Sequence, residues 1–285
     1  MSRPLRVEFP GAVYHITARG ASDEAIFLTN EDRERFFEIL ASVTDRYRVL
    51  CHAYCLMDDQ YNLLIETPQA NLSRAMRQLN GVYGHDFSRR HRRPGQVLGG
   101  RYKAQVVEKD SYLLEFARYV VLAPVRAGLV SDPSKWRWSS YAATAGEAPV
   151  PPFLVADWVL ALLDGKTISA ARAHYRSFVA KGLKEDKESL ARLEGRPIVG
   201  REAFEESLEP CLHNYALSKK VARKKKRQKA PPALSDLLDE ASSREVRNAR
   251  IFEAYRRHGY TMKAIADHLS LHYSTVSRIV TASEQ

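Results

Sequence analysis

What most constrains this chain is the order of its two hydrophobic periods. Val13 to Ala18 alternates with period two, the signature of a strand buried on one face. Asn30 to Arg46 switches to helical spacing, with Phe36, Phe37, Leu40 and Val43 on one side and Asn30 placed to cap the start. Val49 to Met57 and Tyr61 to Glu66 are strand-like again, separated by the polar turn Asp58-Asp59. Asn71 to Arg90 is a long helical stretch, with Asn71 as cap and Leu72, Met76, Leu79 and Val82 as its apolar side. Tyr102 to Val107 is a fourth strand, and Ser111 to Leu122 a helix that Pro124 ends, with Gly128 in the turn beyond. Strand, helix, strand, strand, helix, strand, helix predicts an α+β fold: a ferredoxin-like antiparallel sheet with packed helices and one extra helix. That architecture hosts many activities and selects none.

Trp136 to about Leu163 reads as aromatic and helical, broken by Pro149, Pro151 and Pro152. Residues 164–215 read as amphipathic helix without an interpretable motif. Next comes a run of cations, Lys219, Lys220, Arg223, Lys224, Lys225, Lys226, Arg227 and Lys229, with no acid among them, then Pro231 and Pro232. Such a run is too charged to bury, so residues 216–232 are expected to be a linker. It accounts for much of the formal net charge of +10. The predicted organisation is a domain over 1–145, a helical extension over 146–215, the linker, and a domain over 233–285.

The last stretch divides into three short helices. Arg247 to Arg257 stops at His258-Gly259, Met262 to Leu269 is capped by Thr261, and Ser270-Leu271-His272 turns into Tyr273 to Thr281. Ile265, Ala266 and Leu269 are spaced to pack against Val276 and Ile279. This helix-turn-helix pattern would present His272, Tyr273, Ser274, Thr275, Ser277 and Arg278 to a major groove. Bound duplex DNA is the expected partner there, with Lys224, Lys225, Lys226 and Arg227 of the linker on its phosphates. The same spacing is also met by a three-helix packing unit without a ligand.

Other partners are constrained by composition. No stretch approaches the roughly 20 apolar residues that span a bilayer, and Met1 to Pro10 lacks the apolar core of a signal peptide. No membrane partner is expected, and a cytoplasmic location follows by default. Cys51, Cys55 and Cys211 form no CxxC pair, which argues against a zinc site and a disulfide framework. Cys51 and Cys55 lie in an apolar run and read as packing residues.

Several segments together carry a resemblance. Arg3-Pro4-Leu5-Arg6 and Pro10-Gly11-Ala12-Val13-Tyr14-His15-Ile16-Thr17-Ala18-Arg19-Gly20 are followed by His52-Ala53-Tyr54-Cys55-Leu56-Met57 and by Leu72 to Tyr83. Gly100-Arg101-Tyr102-Lys103-Ala104 and Tyr119 to Val130 complete the set. In this order they resemble the REP-associated tyrosine transposases, bacterial relatives of the HUH single-strand DNA transposases. The resemblance implies two histidines one residue apart on a strand, a third ligand on the last helix, a divalent cation held by the three, and a nucleophilic tyrosine. It places the histidines at Gln60 and Asn62, the tyrosine at Tyr119 and the third ligand, usually Asn, at Ala123. The nucleophile position is kept, and all three ligand positions are changed.

A carboxamide oxygen is a weak ligand suited to hard cations held with carboxylates, and alanine offers no donor. No cofactor is therefore expected. The alternative is a site rewired around Asp58 and Asp59 that still takes magnesium or manganese. Phosphate contact does not require the metal, and Arg89, Arg90, Arg92, Arg93, Arg101 and Lys103 are the candidates for it. Three readings follow. One is a non-catalytic DNA binder or regulator that resembles a transposase, meeting hairpin or single-stranded DNA at its first domain. Another is an active metal-dependent nickase using Tyr119. The third is a binder of RNA hairpins. A homodimer is compatible with each.

Overall fold

The computed structural model describes residues 7–163, 165–184, 195–208, 232–238, 243–258 and 260–282. The chain divides into two units, Met1–His213 and Asn214–Gln285.

In the first unit, β1 (Ala12–Arg19), β2 (Leu50–Leu56), β3 (Gln60–Thr67) and β4 (Lys103–Val107) form a sheet with a short fifth strand, β5 (Ile198–Val199), in the order β2-β3-β1-β4-β5. The first four strands have the ferredoxin-like order, each antiparallel to its neighbour. β5 runs parallel to β4, pairing Ile198 with Val106 and Val199 with Val107. It lies in the stretch expected to be wholly helical. A strand of two residues has no period to read, and it exists because β4 offers an open edge.

Alternation along the strands sorts the side chains into two layers. On one face Tyr14, Ile16, Tyr61, Leu63 and Ile65 pack under α1 (Asn30–Tyr47) and α2 (Leu72–His91). Rings of Phe36 and Tyr61 meet there at 4.9 Å between centroids. On the other face Val13, Ala53, Cys55 and Leu64 pack under α3 (Lys109–Val121), α6 (Asp157–Ala161) and α7 (Ile168–Gly182). Cys51 and Cys55 are free and buried, and burial pushes both thiols up to about 12. Cys211 lies outside the described residues.

Several local expectations need correction. Thr29, not Asn30, caps α1. Thr29 and Asp32 form a capping box, and Asp32 Oδ2 accepts the Leu28 and Thr29 amides at 3.0 Å each. Asn71 occupies the cap position of α2, yet its side chain does not cap. Its Nδ2 donates to Tyr47 O at 2.9 Å and ties the start of α2 to the end of α1. The buried side of α2 is Leu72, Ala75, Met76, Leu79, Tyr83 and Phe87, while Val82 is half-buried. Pro124 does not stop the helical path. A further turn, α4 (Ala123–Arg126), follows α3 with Pro124 in its first turn, where no amide donor is needed. Between Trp136 and Leu163 the helices are only single turns, α5 (Tyr141–Ala145) and α6.

The second unit has a short helix, Leu234–Leu238, ahead of the expected three, which span Arg244–Arg256, Met262–His268 and Tyr273–Ala282. Leu238, Ile251, Ala254, Ile265, Ala266, Val276 and Val280 make its core, with Leu269 and Ile279 packed against it. Thr261 Oγ1 accepts the Ala264 amide at 3.1 Å, the expected cap. The turn is closed by Leu271 N donating to Ala266 O at 2.9 Å, with Ser270 at φ 52. Among the described residues, no helix is long and apolar enough to cross a membrane.

Candidate nucleic-acid interface

β1 carries polar residues on its α3-facing side at alternate positions, His15, Thr17 and Arg19. Register then decides their partners. Thr17 lies opposite Asn62 and Arg19 opposite Gln60 on β3, while on β4 His15 lies opposite Gln105 and Thr17 opposite Lys103. The two positions where the resemblance implies metal ligands therefore face a row of side chains that can bond them.

Arg19 Nε donates to Gln60 Oε1 at 2.7 Å. Thr17 Oγ1 donates to Asn62 Oδ1 at 3.1 Å, and His15 Nε2 lies 3.2 Å from the same oxygen. Gln105 Nε2 donates to Arg196 O at 2.8 Å, which turns its oxygen toward His15 Nδ1, 2.9 Å away. That ring nitrogen is accordingly a donor. His15 and Asn62 are each 5% exposed, so this is an interior network.

Tyr119 is half-buried on α3. Its ring meets His15 edge-on at 5.4 Å and Phe116 at 6.2 Å between centroids. The Arg126 guanidinium stacks over the Tyr119 ring, 3.7 Å from its centroid. Ala123, 5% exposed, lies between them in sequence and contributes only a methyl. Helical side chains lean toward the N-terminus, so Arg126 reaches back past Ala123 onto Tyr119.

The donor set at this place does not suit a divalent cation. Both amide oxygens are engaged by protein donors, position 123 has no ligand atom, and guanidinium groups stand beside Gln60 and Tyr119. Among the described residues, no group of three or more His, Cys, Asp or Glu gathers to hold a metal ion. Asp58 is ion-paired with Arg33, and its backbone oxygen accepts the Ile26 and Phe27 amides. Asp59 contributes its backbone oxygen to Gly20 N at 2.8 Å. Both lie in the turn between β2 and β3 and tie it to neighbouring segments.

The other cations divide into two groups. Arg90 pairs with Asp32 at 3.3 Å, and Arg93 pairs with Glu24 and donates to Ala25 O at 3.3 Å. His91 also reaches Asp32, at 2.9 Å. Arg90 and His91 are thus committed to the first turn of α1, and Arg93 to the segment that precedes it. Burial raises the Asp32 carboxyl, but bonds from His91 and the Thr29 and Leu28 amides outweigh it and hold the group below its usual range. Arg89, Arg92, Arg101 and Lys103 are exposed. The loop before Arg101 folds onto the end of β1, where Gly99 N donates to Arg19 O at 2.8 Å. A side chain at Gly99 would collide, since a Cβ there would lie 2.6 Å from Gly20 O.

Lys224, Lys225, Lys226 and Arg227 lie outside the described residues. In the second unit His272 Nδ1 accepts the Ser274 amide at 3.3 Å and so caps the final helix. Tyr273, Ser274 and Arg278 are exposed, and Thr275 and Ser277 half-buried. His15, Thr17, Arg19, Gln105 and Arg126 were not among the sequence-derived site residues. The alternation His15-x-Thr17-x-Arg19 between apolar neighbours was the available signal.

Residues 9–121 match the family model described as transposase, IS200-like, and residues 242–285 match that of the homeodomain-like domain. A search of curated proteins finds no match. Among solved structures, the chain is similar to a REP-associated tyrosine transposase bound to a REP hairpin, at 15% identity and TM-score 0.46, covering 58% of this chain and 96% of that one. It is also similar to a candidate transposase from Deinococcus radiodurans R1, at 17% identity and TM-score 0.31, covering 42% of this chain and 95% of that one. Models of an IS200-like transposase and of a homeodomain-like domain thus match successive parts of one chain.

Proposed function

We propose that the protein binds DNA through both domains and does not cleave it. The first domain takes hairpin or single-stranded DNA, and the final helix of the second takes a duplex major groove. The observation that carries this reading is the use of Gln60 and Asn62. Their oxygens serve Arg19 and Thr17, and Ala123 supplies no third ligand. Without a Lewis acid to polarise a scissile phosphate, Tyr119 is a weak nucleophile at neutral pH. DNA binding is supported by the homeodomain-like match, by the exposed Tyr273, Ser274 and Arg278, and by the net charge of +10.

The test is an adduct assay on the full chain with end-labelled hairpin DNA and magnesium or manganese. A shifted band on a native gel and none on a denaturing gel is expected. A covalent band that disappears in Tyr119→Phe would sink the non-catalytic reading. Competition between DNA and RNA hairpins of one sequence separates the RNA alternative, which predicts preference for the 2′-hydroxyl.

A further inference from the structure

We propose that the end of the helical layer where α1 finishes and α2 begins is a separate DNA surface, on which Arg46, Arg74 and Arg77 hold backbone phosphates of a duplex stem. The inference rests on the DNA-binding half of the reading above and names where on the first unit a stem lies.

The two helices are tied together at this end. Asn71 Nδ2 donates at 2.9 Å to the carbonyl that joins Tyr47 to Arg48. The Tyr47 ring then gathers a cation from each helix: Arg46 Cζ lies 5.7 Å and Arg74 Cζ 5.9 Å from its centroid. Contact with one ring brings the guanidiniums together without engaging their N–H donors. Arg77 stands about one turn beyond Arg74 on the same side of α2. Arg48 follows Tyr47 in the left-handed conformation, at φ 54. All four arginines are exposed.

Among the described residues none of the four is in an ion pair. At the far end of the same two helices Arg33 pairs with Asp58, Arg35 with Asp86, Arg90 with Asp32 and Arg93 with Glu24. Glu8 reaches the start of α2, but it accepts the Ser73 amide at 3.2 Å and the Ser73 hydroxyl. The first turn of α2 holds no acid, so Arg74 stands where a cation opposes the helix dipole. Like charges gathered in this way repel, and an anion that bridges them relieves the repulsion.

A duplex backbone fits this surface better than a single strand. Single-strand grooves offer rings on which bases stack. Among the described residues, α1 and α2 carry no exposed Phe, Tyr or Trp, and both guanidiniums already meet the half-buried Tyr47 ring. What is offered is a set of guanidinium forks, which match phosphate oxygens. The surface is also distant from the altered ligand positions, which lie on the opposite face. Leu50, two residues after Arg48, pairs with Glu66 near the end of β3, whereas Gln60 begins that strand, about 20 Å away.

The experiment is fluorescence polarisation of the intact chain with a labelled DNA hairpin of fully paired stem, over a salt series. Phenylglyoxal modification of the arginines, read by mass spectrometry, accompanies it. In wild type the hairpin should protect Arg46, Arg74 and Arg77 from modification. This readout is residue by residue, so it holds even where the basic linker and the second unit dominate affinity. The double change Arg74→Gln, Arg77→Gln should weaken binding about tenfold and lower the salt slope by about 1.8, the value for two duplex phosphates. The double change Lys166→Gln, Lys181→Gln removes as much exposed charge in and beside α7, across the sheet, and should alter binding less than about twofold. Arg74→Lys with Arg77→Lys keeps the charge and should keep the salt slope. Equal losses in the arginine and lysine pairs overturn the surface and leave DNA binding standing, as does modification of Arg74 and Arg77 at the same rate with and without hairpin. No binding of the hairpin by wild type overturns the DNA-binding reading itself. Tighter binding of an RNA hairpin of the same sequence overturns the assignment to DNA.

Discussion

Replacing Asn62 by leucine, which is close to it in size, tests whether the amide is a structural member of the interior. The leucine removes the amide oxygen that lies 3.2 Å from His15 Nε2 at a position 5% exposed. Stripping a partner from a buried polar group costs roughly 1–3 kcal/mol. Thr17 loses its bond as well, at about 1 kcal/mol, softened because it is half-buried and can turn to water. The leucine recovers about 1 kcal/mol through burial of apolar surface. The net expectation is a loss of about 2 kcal/mol. For a unit of this size each kcal/mol lowers Tm by roughly 2–4 °C, so the first transition in calorimetry should fall by about 4–8 °C. An unchanged or raised Tm would refute the argument, because Asn62 would then be a vestige that the surrounding structure does not use.

Two further perturbations probe the same face. Wild type should show no Tm increase in manganese, whereas the triple change Gln60→His, Asn62→His, Ala123→Asn should gain a chelator-reversible rise in calorimetry, about 2.7 kcal/mol at a hundredfold excess over Kd; a metal-dependent rise in wild type would contradict the donor-set argument. At the other end of the sheet, burial raises Glu66, but bonds from His52 at 2.9 Å and Lys109 at 2.8 Å, and the Lys109 charge, outweigh it and hold the carboxyl below its ordinary 4.5. A depressed carboxylate contributes stability that is present above the ordinary value and is lost as pH falls through the folded one. Glu66→Gln should therefore lower Tm at pH 7 and converge on wild type below about pH 4; a gap that persists in acid would rule out the ionic contribution.

What could be read from the chain without its structure follows from period and length. β1 was legible because Tyr14, Ile16 and Ala18 alternate with His15, Thr17 and Arg19 over eight residues. The final helix-turn-helix was legible because capping and turn chemistry are local: Thr261, Ser270 and His272 act within a few residues of themselves. Thr29 was misread in favour of its neighbour because Asp32, its partner in the capping box, is itself bound to α2 through His91. The commitment of Arg90 and Arg93 was invisible for the same reason. Their partners, Asp32 and Glu24, are far off in sequence, so a cluster that reads as free charge is partly internal.

The altered site is the sharpest case. Its residue types were legible, and they were enough to doubt a metal. Their meaning was not, because it depends on a strand register that pairs Arg19 with Gln60 and Thr17 with Asn62. A one-residue slip would move these side chains to the α1 and α2 face and dissolve both pairs. That register is fixed elsewhere, by Tyr14, Ile16, Leu63 and Ile65, whose apolar side chains must reach the opposite core. The packing that defines one face of the sheet thus determines which amide atoms the other face presents. Glutamine at position 60 thus does more than lack a histidine's ligand nitrogen: with a donor-only arginine opposite, its amide oxygen is taken up by Arg19.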